Sequence, residues 1–251
     1  MLFLIPIVIA ACWIFDFVVV SAVDHRPPED MPDQLVRHLA IAHPTRTTPA
    51  EAFLRAVEKK DHQAIMRSLK RGLSPNTRNE RPRMFGFFTR GETVLMMAAG
   101  NEDIETVELL LRAGAAVNRR DAKGRTALNY AARYGLGEYD LNDFVSQGDI
   151  GSQYPIVKVV RLLLEAHADP NKADNEGMTP LMLVAGYAQS PECVKLLLKH
   201  GARVNAKTKY GWRALDYARR LRERDIPGHE NSRVISLLQK AGGRGEAWPV
   251  N

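Results

Sequence analysis

Apolar and polar positions along this chain repeat in a two-helix rhythm whose clearest copy is the stretch 91–123, GETVLMMAAGNEDIETVELLLRAGAAVNRRDAK. Within it Thr93 is placed to cap a first helix that carries Leu95, Ala98 and Ala99, and Val107, Leu110 and Leu111, spaced by three and four, form the apolar face of a second. Thr126, Leu128, Ala131 and Ala132 repeat the first set of roles, and Thr179, Leu181, Val184 and Ala185 repeat them again. Each copy runs on into a Leu-rich segment and a turn: LLLRAGAAVN from Leu109, LLLEAHADPN from Leu162 and LLLKHGARVN from Leu196. Pro180 sits at a first helical position, where its missing N–H costs nothing. Gly114 and Gly201 follow the last turn of the second helix, where a left-handed residue ends a helix at low cost, and His167 holds that slot in the copy that opens at Thr126. The period is 33 residues from Thr93 to Thr126, 53 from Thr126 to Thr179 and 34 from Thr179 to Arg213, so insertions of 20 and 1 interrupt the rhythm.

Several copies in phase at this period, each opening on Thr-x-Leu and closing on Leu-Leu-Leu with a Gly- or His-marked turn, resemble the ankyrin repeat, whose signature is Thr-Pro-Leu-His-x-Ala. The resemblance covers roughly residues 49–243 and implies an all-α fold, an ankyrin repeat solenoid of about five helix-turn-helix units with finger loops between them. The His slot of the signature holds Met96, Asn129, Met182 and Asp216, which predicts a weakened hydrogen-bond network at the helix starts. Thr48, Pro49 and Glu51 match a capping box that opens the array. Its first unit is polar, with Lys59, Lys60, Arg67, Lys70 and Arg71, as suits the end of a solenoid. The last unit, 211–243, replaces the capping Thr by Arg213 and the second Ala by Arg219, on a face with no following unit to cover it.

Composition changes the picture mainly outside the array. Residues 2–20 are nearly all apolar, broken by Pro6 and Asp16, and read as an N-terminal hydrophobic targeting segment, either a signal peptide ending near Ala22 or an uncleaved membrane anchor. Ile9-Ala10-Ala11-Cys12 looks like a lipoprotein box but stands too early, and Arg26 and Arg37 on the C-terminal side oppose export by the positive-inside rule. The organisation expected is therefore 1–22 signal peptide or membrane anchor, 23–48 Pro-rich linker, 49–243 repeat domain and 244–251 flexible tail. Cys193 is alone outside the targeting segment, so no disulfide closes within the mature domain. No Asn-x-Ser/Thr site occurs, and the periplasm or the periplasmic face of the inner membrane is the expected setting, with the cytoplasm as the alternative. Together with the resemblance, this describes an exported bacterial-type ankyrin protein.

Two insertions and a charge run are the remaining features. The segment 81–89, RPRMFGFFT, falls in a finger and puts Phe85, Phe87 and Phe88 among Arg81, Arg83 and Arg90; it suits partner contact, folding back or membrane contact. The segment 135–154 lies between the two helices of the third unit, with Glu138, Asp140, Asp143 and Asp149 and no Lys or Arg. It fails the EF-hand pattern, because Phe144 and Val145 stand where a ligand and a Gly are required. Long loops are often functional, which makes Tyr139 and Phe144 candidates, while Leu141, Phe144 and Val145 equally suit a passive packed insertion. Arg219, Arg220, Arg222, Glu223, Arg224 and Asp225 read as a solvated face.

The chain has no Gly-x-Ser-x-Gly, no P-loop, no dinucleotide-binding turn and no His pair at metal spacing, so no enzyme, cofactor, metal site or small-molecule substrate is expected. The formal net charge of +6 weakly favours acidic partners or membrane surfaces, and no nucleic-acid recognition motif accompanies it. By resemblance, ankyrin arrays bind proteins through a concave surface made of finger loops and first helices. The repeat phase assigns Arg119, Arg120, Lys123, Arg125, Lys207, Lys209, Tyr210 and Trp212 to the fingers, and Met97, Tyr130, Arg133, Tyr134 and Tyr187 to the first helices. Basic residues interleaved with Tyr and Trp suit a partly apolar acidic protein, although several, Trp212 above all, equally suit finger-to-finger contacts. The expected function is non-catalytic protein binding in the cell envelope, as an inhibitor or immunity-type protein or, alternatively, as a scaffold or chaperone-like partner of an envelope enzyme. Membrane contact is expected only through the N-terminal segment.

Overall fold

The computed structural model describes residues 48–79, 91–134, 155–188, 190–222 and 231–245. The targeting segment and linker, the RPRMFGFFT insertion and the acidic insertion 135–154 lie outside the described residues. From Thr48 onward the chain forms one compact unit. Among the described residues the helices come in five pairs: α1 (Pro49–Glu58) with α2 (His62–Lys70), α3 (Val94–Gly100) with α4 (Ile104–Arg112), and α5 (Ala127–Tyr134) with α6 (Pro155–Glu165). The fourth pair is α7 (Pro180–Leu183), prolonged by a π-helical turn at Val184–Ala188, with α8 (Pro191–Lys199); the fifth is α9 (Ala214–Arg222) with α10 (Asn231–Lys240). The all-α expectation needs one addition. β1 (Arg78–Asn79) pairs antiparallel with β2 (Glu92–Thr93) at the base of the first finger, in the register Arg78 to Thr93 and Asn79 to Glu92.

First helices pack on first helices, α1 on α3, α3 on α5, α5 on α7 and α7 on α9, and the second helices form a parallel outer row from α2 to α10. Neighbours on both sides leave the inner row no solvent, which is why every residue from Val94 to Ala99 is buried. Ala98, Ala99, Ala131, Ala132 and Ala185 keep those helix axes close, and Val107, Leu110, Val157, Val160, Leu163, Val194 and Leu197 fill the seam to the outer row. Full burial of each such aliphatic side chain contributes about 1.5–3 kcal/mol, so the continuous seam is what makes the units cooperative.

The expected caps form. Glu51 N donates to Thr48 Oγ1 at 3.2 Å while Thr48 N donates to Glu51 Oε2 at 3.1 Å, closing the capping box. Thr93 and Thr179 accept from the amides of Met96 and Met182, both at 3.3 Å. The weakening expected from the altered His slot is only partial. Thr126 N and Oγ1 both donate to Asn129 Oδ1, at 2.9 and 2.7 Å, and Asn129 Nδ2 reaches Met178 O of the next unit at 3.5 Å. Asp216 Oδ2 accepts from Arg213 N at 2.8 Å, which compensates for the missing capping Thr. A short polar side chain three residues after the cap thus does what the signature His would do. Met96 and Met182 are buried, and Met96 Sδ accepts from Thr93 N at 3.3 Å.

His167 does adopt positive φ, at 63°, in the slot that Gly114 and Gly201 fill at 83° and 84°. The insertion of one residue also has a physical form. Thr93 and the next N-cap, Asp103, are ten positions apart, whereas Thr179 and Ser190 are eleven apart, and the extra residue is taken up by the π-helical turn Val184–Ala188. Units also interlock through single side chains. His62 Nε2 lies 2.9 Å from Asp103 Oδ1 and its Nδ1 lies 2.9 Å from Glu105 Oε2, which ties α2 to the start of α4.

Candidate functional site

The fingers are built on one plan. In the finger before α5, Asp121 Oδ1 accepts from Lys123 N and Arg125 N at 2.9 and 2.8 Å, and in the next finger Asp174 Oδ1 accepts from Glu176 N and Met178 N, both at 2.9 Å. Thr208 takes the Asp slot in the finger before α9, where its Oγ1 accepts from Trp212 N at 3.2 Å. Neighbouring fingers are then joined through the backbone. Asn175 N donates to Lys123 O at 2.9 Å and Lys209 N donates to Glu176 O at 3.0 Å. The approach is close enough that a Cβ at Gly177 would stand 2.9 Å from Thr208 Cα. The finger tips therefore form a fixed edge from which side chains project.

Several candidates are on that edge and exposed. Arg119, Lys123, Lys209 and Tyr210 are solvent-facing, with Tyr210 66% exposed. Lys209 Nζ lies 3.2 Å from Glu176 Oε1 and 5.0 Å from the centroid of the Tyr210 ring. The Glu176 hydrogen bond, first, and the contact with Tyr210 raise the Lys209 pKa, so the ammonium stays charged across the physiological range. Tyr187, 39% exposed on the π-helical turn, has the Arg133 guanidinium carbon 5.5 Å from its ring centroid. Trp212 is half-buried; its ring lies 5.1 Å from that of Tyr217 at 56°, with the Arg220 guanidinium carbon 5.0 Å from its centroid.

Other candidates are not available to a partner. Met97 is 1% exposed, because the inner row of helices packs on both sides of α3. Tyr130 is 2% exposed, and its hydroxyl donates to Asp121 Oδ2 at 2.9 Å and accepts from an Arg125 terminal nitrogen at 2.6 Å. Burial, followed by Glu92, raises the Tyr130 pKa far above the ordinary phenol value. Arg125, also assigned to the finger surface by phase, is buried too, with Nε 2.8 Å from Asp121 Oδ2. This Asp–Arg–Tyr cluster fixes the finger onto α5. Arg120 is exposed yet spent on structure, its Nε donating to Gly124 O at 2.8 Å and a terminal nitrogen to Ala173 O at 2.9 Å. Phe85, Phe87, Phe88, Tyr139 and Phe144 lie outside the described residues, as does the side chain of Tyr134.

Arg220 and Tyr217 were not among the sequence candidates, although a signal existed. Arg133, Gly186 and Arg220 each stand seven residues after a helix N-cap position, Thr126, Thr179 and Arg213. The phase that placed Arg133 on the surface places Arg220 there as well. Among the described residues no cluster of His, Cys, Asp and Glu is arranged to hold a metal ion, and no helix is long and apolar enough to cross a membrane.

Comparison with known proteins agrees with this architecture. The family model for ankyrin repeats in three copies matches residues 53–148 and 150–227, and the single ankyrin repeat model matches residues 123–175. Inversin of Gallus gallus is 38% identical over 112 residues, covering 45% of this chain and 8% of that protein. SH3 and multiple ankyrin repeat domains protein 2 of Homo sapiens is 32% identical over 165 residues, 65% of this chain and 7% of that protein. A putative ankyrin repeat-containing protein of Treponema pallidum is 33% identical over 138 residues, 48% of this chain and 44% of that protein. The chain thus spans less than a tenth of the two animal relatives and under half of the bacterial one. These relatives share repeat units, which serve generally as non-catalytic protein-interaction modules. On the matched models, the five helix pairs and the fingers between them, the chain belongs to the ankyrin repeat family.

Proposed function

We propose that this chain acts by stoichiometric binding of an acidic, partly apolar protein along its finger tips and first helices. The observation that carries the reading is the edge itself. Backbone hydrogen bonds from finger to finger fix the segments that carry Lys123, Lys209 and Tyr210, and Arg119 stands exposed beside them. A fixed backbone lowers the ordering cost of binding, and Tyr and Arg are enriched among the residues that dominate interface energetics. A net charge of +6 adds long-range attraction for an acidic partner. Nucleic acid offers negative charge as well, but the chain carries no recognition motif for it.

Within that reading the chain is an inhibitor or immunity-type protein of the cell envelope, exported by the apolar run at residues 2–20 and located in the periplasm or on the periplasmic face of the inner membrane. The second reading is a scaffold or chaperone-like partner of an envelope enzyme. Both are tested on the complex formed by the full chain in its source cells. Mass spectrometry gives stoichiometry, and assay of the partner with and without the chain separates inhibition from stabilisation. A partner that is neither bound saturably nor altered in activity or stability contradicts both. The same mass spectra report location: a mature N-terminus at Val23 means cleavage, an intact Met1 in membranes means an anchor, and an intact chain in the cytosolic fraction overturns the envelope setting in favour of the cytoplasm.

A further inference from the structure

The two helix surfaces beside the fingers carry an aromatic platform that the repeat pattern alone does not create. Tyr187, Tyr217 and Trp212 come from the fourth and fifth units, and three departures from regularity bring them together. The extra residue in the fourth unit makes the π-helical turn that presents Tyr187. Gly186, next to it, has no side chain; a Cβ there would meet Tyr217 Cβ at 3.3 Å, so the glycine lets the Tyr217 ring lie close against the turn. Trp212, at the end of the last finger, closes the platform 5.1 Å from Tyr217. π-Helical turns are rare and concentrate at functional positions, because they cost helix regularity.

Guanidinium groups edge this platform at both ends, Arg133 at Tyr187 and Arg220 at Trp212. Stacking occupies the flat face of a guanidinium, whereas its in-plane N–H groups are the ones that take carboxylates in paired hydrogen bonds. The exposed Arg220, supported on the Trp212 ring, is accordingly a pre-oriented carboxylate receptor, and the rings beside it suit an apolar side chain adjoining an acid. The neighbouring finger carries Asp174, whose Oδ1 accepts from Glu176 N and Met178 N, and Glu176, paired with Lys209 at 3.2 Å; the exposed cations Lys123 and Arg119 stand one finger further along.

We propose that the Tyr187–Tyr217–Trp212 platform, with Arg220 at its edge, is the anchoring subsite for an acidic peptide segment that bears an aromatic side chain next to a carboxylate. This rests on the protein-binding reading above and narrows it to one subsite and one ligand chemistry.

The test uses the full chain and a fluorescent peptide of alternating Glu and Gly with one central Phe. Companion probes carry Ala for the Phe, or Lys for every Glu, and a single-stranded oligonucleotide covers the other polyanion. Saturable binding of the Glu/Phe peptide is expected, weakened about tenfold by the Phe-to-Ala change and absent for the Lys peptide. Tyr187→Ala and deletion of Gly186, which restores the regular period, should each lower affinity about tenfold or more with the helical signal retained. Arg220→Gln, at an exposed position, should do the same and carries the test if either of the others fails to fold. Lys158→Gln, on the outer row, should change nothing. No binding of the Glu/Phe peptide, equal binding by Arg220→Gln and the unaltered chain, or preference for the oligonucleotide each overturns the proposal. Should the natural partner still bind the Tyr187→Ala and Arg220→Gln chains fully while Lys123 and Lys209 changes abolish it, the subsite fails and the broader reading stands.

Discussion

Lys60 and Glu102 hold positive φ angles of 54° and 53° at the turn between the two helices of the first and second units, where Asp61 N and Asp103 N donate back to Ala56 O and Ala98 O. A side chain in that conformation costs about 1–2 kcal/mol, part of which glycine gives back by loosening the unfolded chain. Lys60 is exposed, so Lys60→Gly should raise stability by roughly 0.5–1 kcal/mol, read as a higher urea midpoint at unchanged slope. Cys193 illustrates the opposite environment. Burial pushes its pKa up to about 12, and the thiol is fully enclosed, so at pH 8 it should resist iodoacetamide in the folded chain and react once urea unfolds it, with peptide mapping to separate it from Cys12. At this scale sequence phase was a partial guide. It placed Lys123, Lys209, Tyr187 and Tyr210 on the exposed side, where the structure has them, but also Met97 and Tyr130, which are buried. Phase reports the direction from a helix axis, whereas the burial of Tyr130 depends on Asp121 and Arg125 closing over it from a finger whose hydrogen bonds no periodicity reveals.

Elements are joined by a ladder of asparagines, one in each of the turns after α4, α6 and α8. Asn118 Nδ2 donates to His167 O at 2.9 Å and its Oδ1 accepts from Asp169 N at 2.8 Å; Asn171 does the same with Gly201 O and Arg203 N at 3.0 and 2.7 Å. Asn205 continues it with Gly242 O and Arg244 N at 2.9 and 2.7 Å. The residues of the rungs are plain in the AAVN, ADPN and ARVN turns, yet their role was not legible, because each partner lies in the next unit. Asn171→Ala removes two hydrogen bonds at a solvent-exposed turn and should cost about 1–2 kcal/mol, seen as a lower urea midpoint with a less steep transition as the third and fourth units begin to uncouple. The insertion 135–154 allows a complementary test. α5 ends at Tyr134 and α6 begins at Pro155, both at the boundaries the period predicts, so replacing residues 136–153 by a short Gly/Ser turn should leave the circular dichroism signal intact and weaken partner binding. Loss of helicity would place Leu141, Phe144 and Val145 in the core.

Across the whole molecule, the repeat arithmetic predicted five units, the capping box at Thr48 and the left-handed His167, because each of these is local and recurs. The irregular features that carry the proposed site, the π-helical turn, the finger edge and the stacked arginines, depend on contacts between units and emerged only in three dimensions. The central claim is that a protein partner is held by the finger edge, and comparative capture by three forms of the full chain tests it most directly. One form is unaltered, one carries Lys123→Glu, Lys209→Glu and Tyr210→Ala, and one carries Lys158→Glu and Arg161→Glu on the exposed side of the outer row. All changes lie at exposed positions, where substitutions cost little stability, and unfolding curves are to be recorded to check that the three are equally folded. The account predicts that a partner captured by the unaltered chain is retained by the outer-row form and weakened about tenfold or more by the finger form. A partner that stays with the finger form and leaves the outer-row form would contradict it.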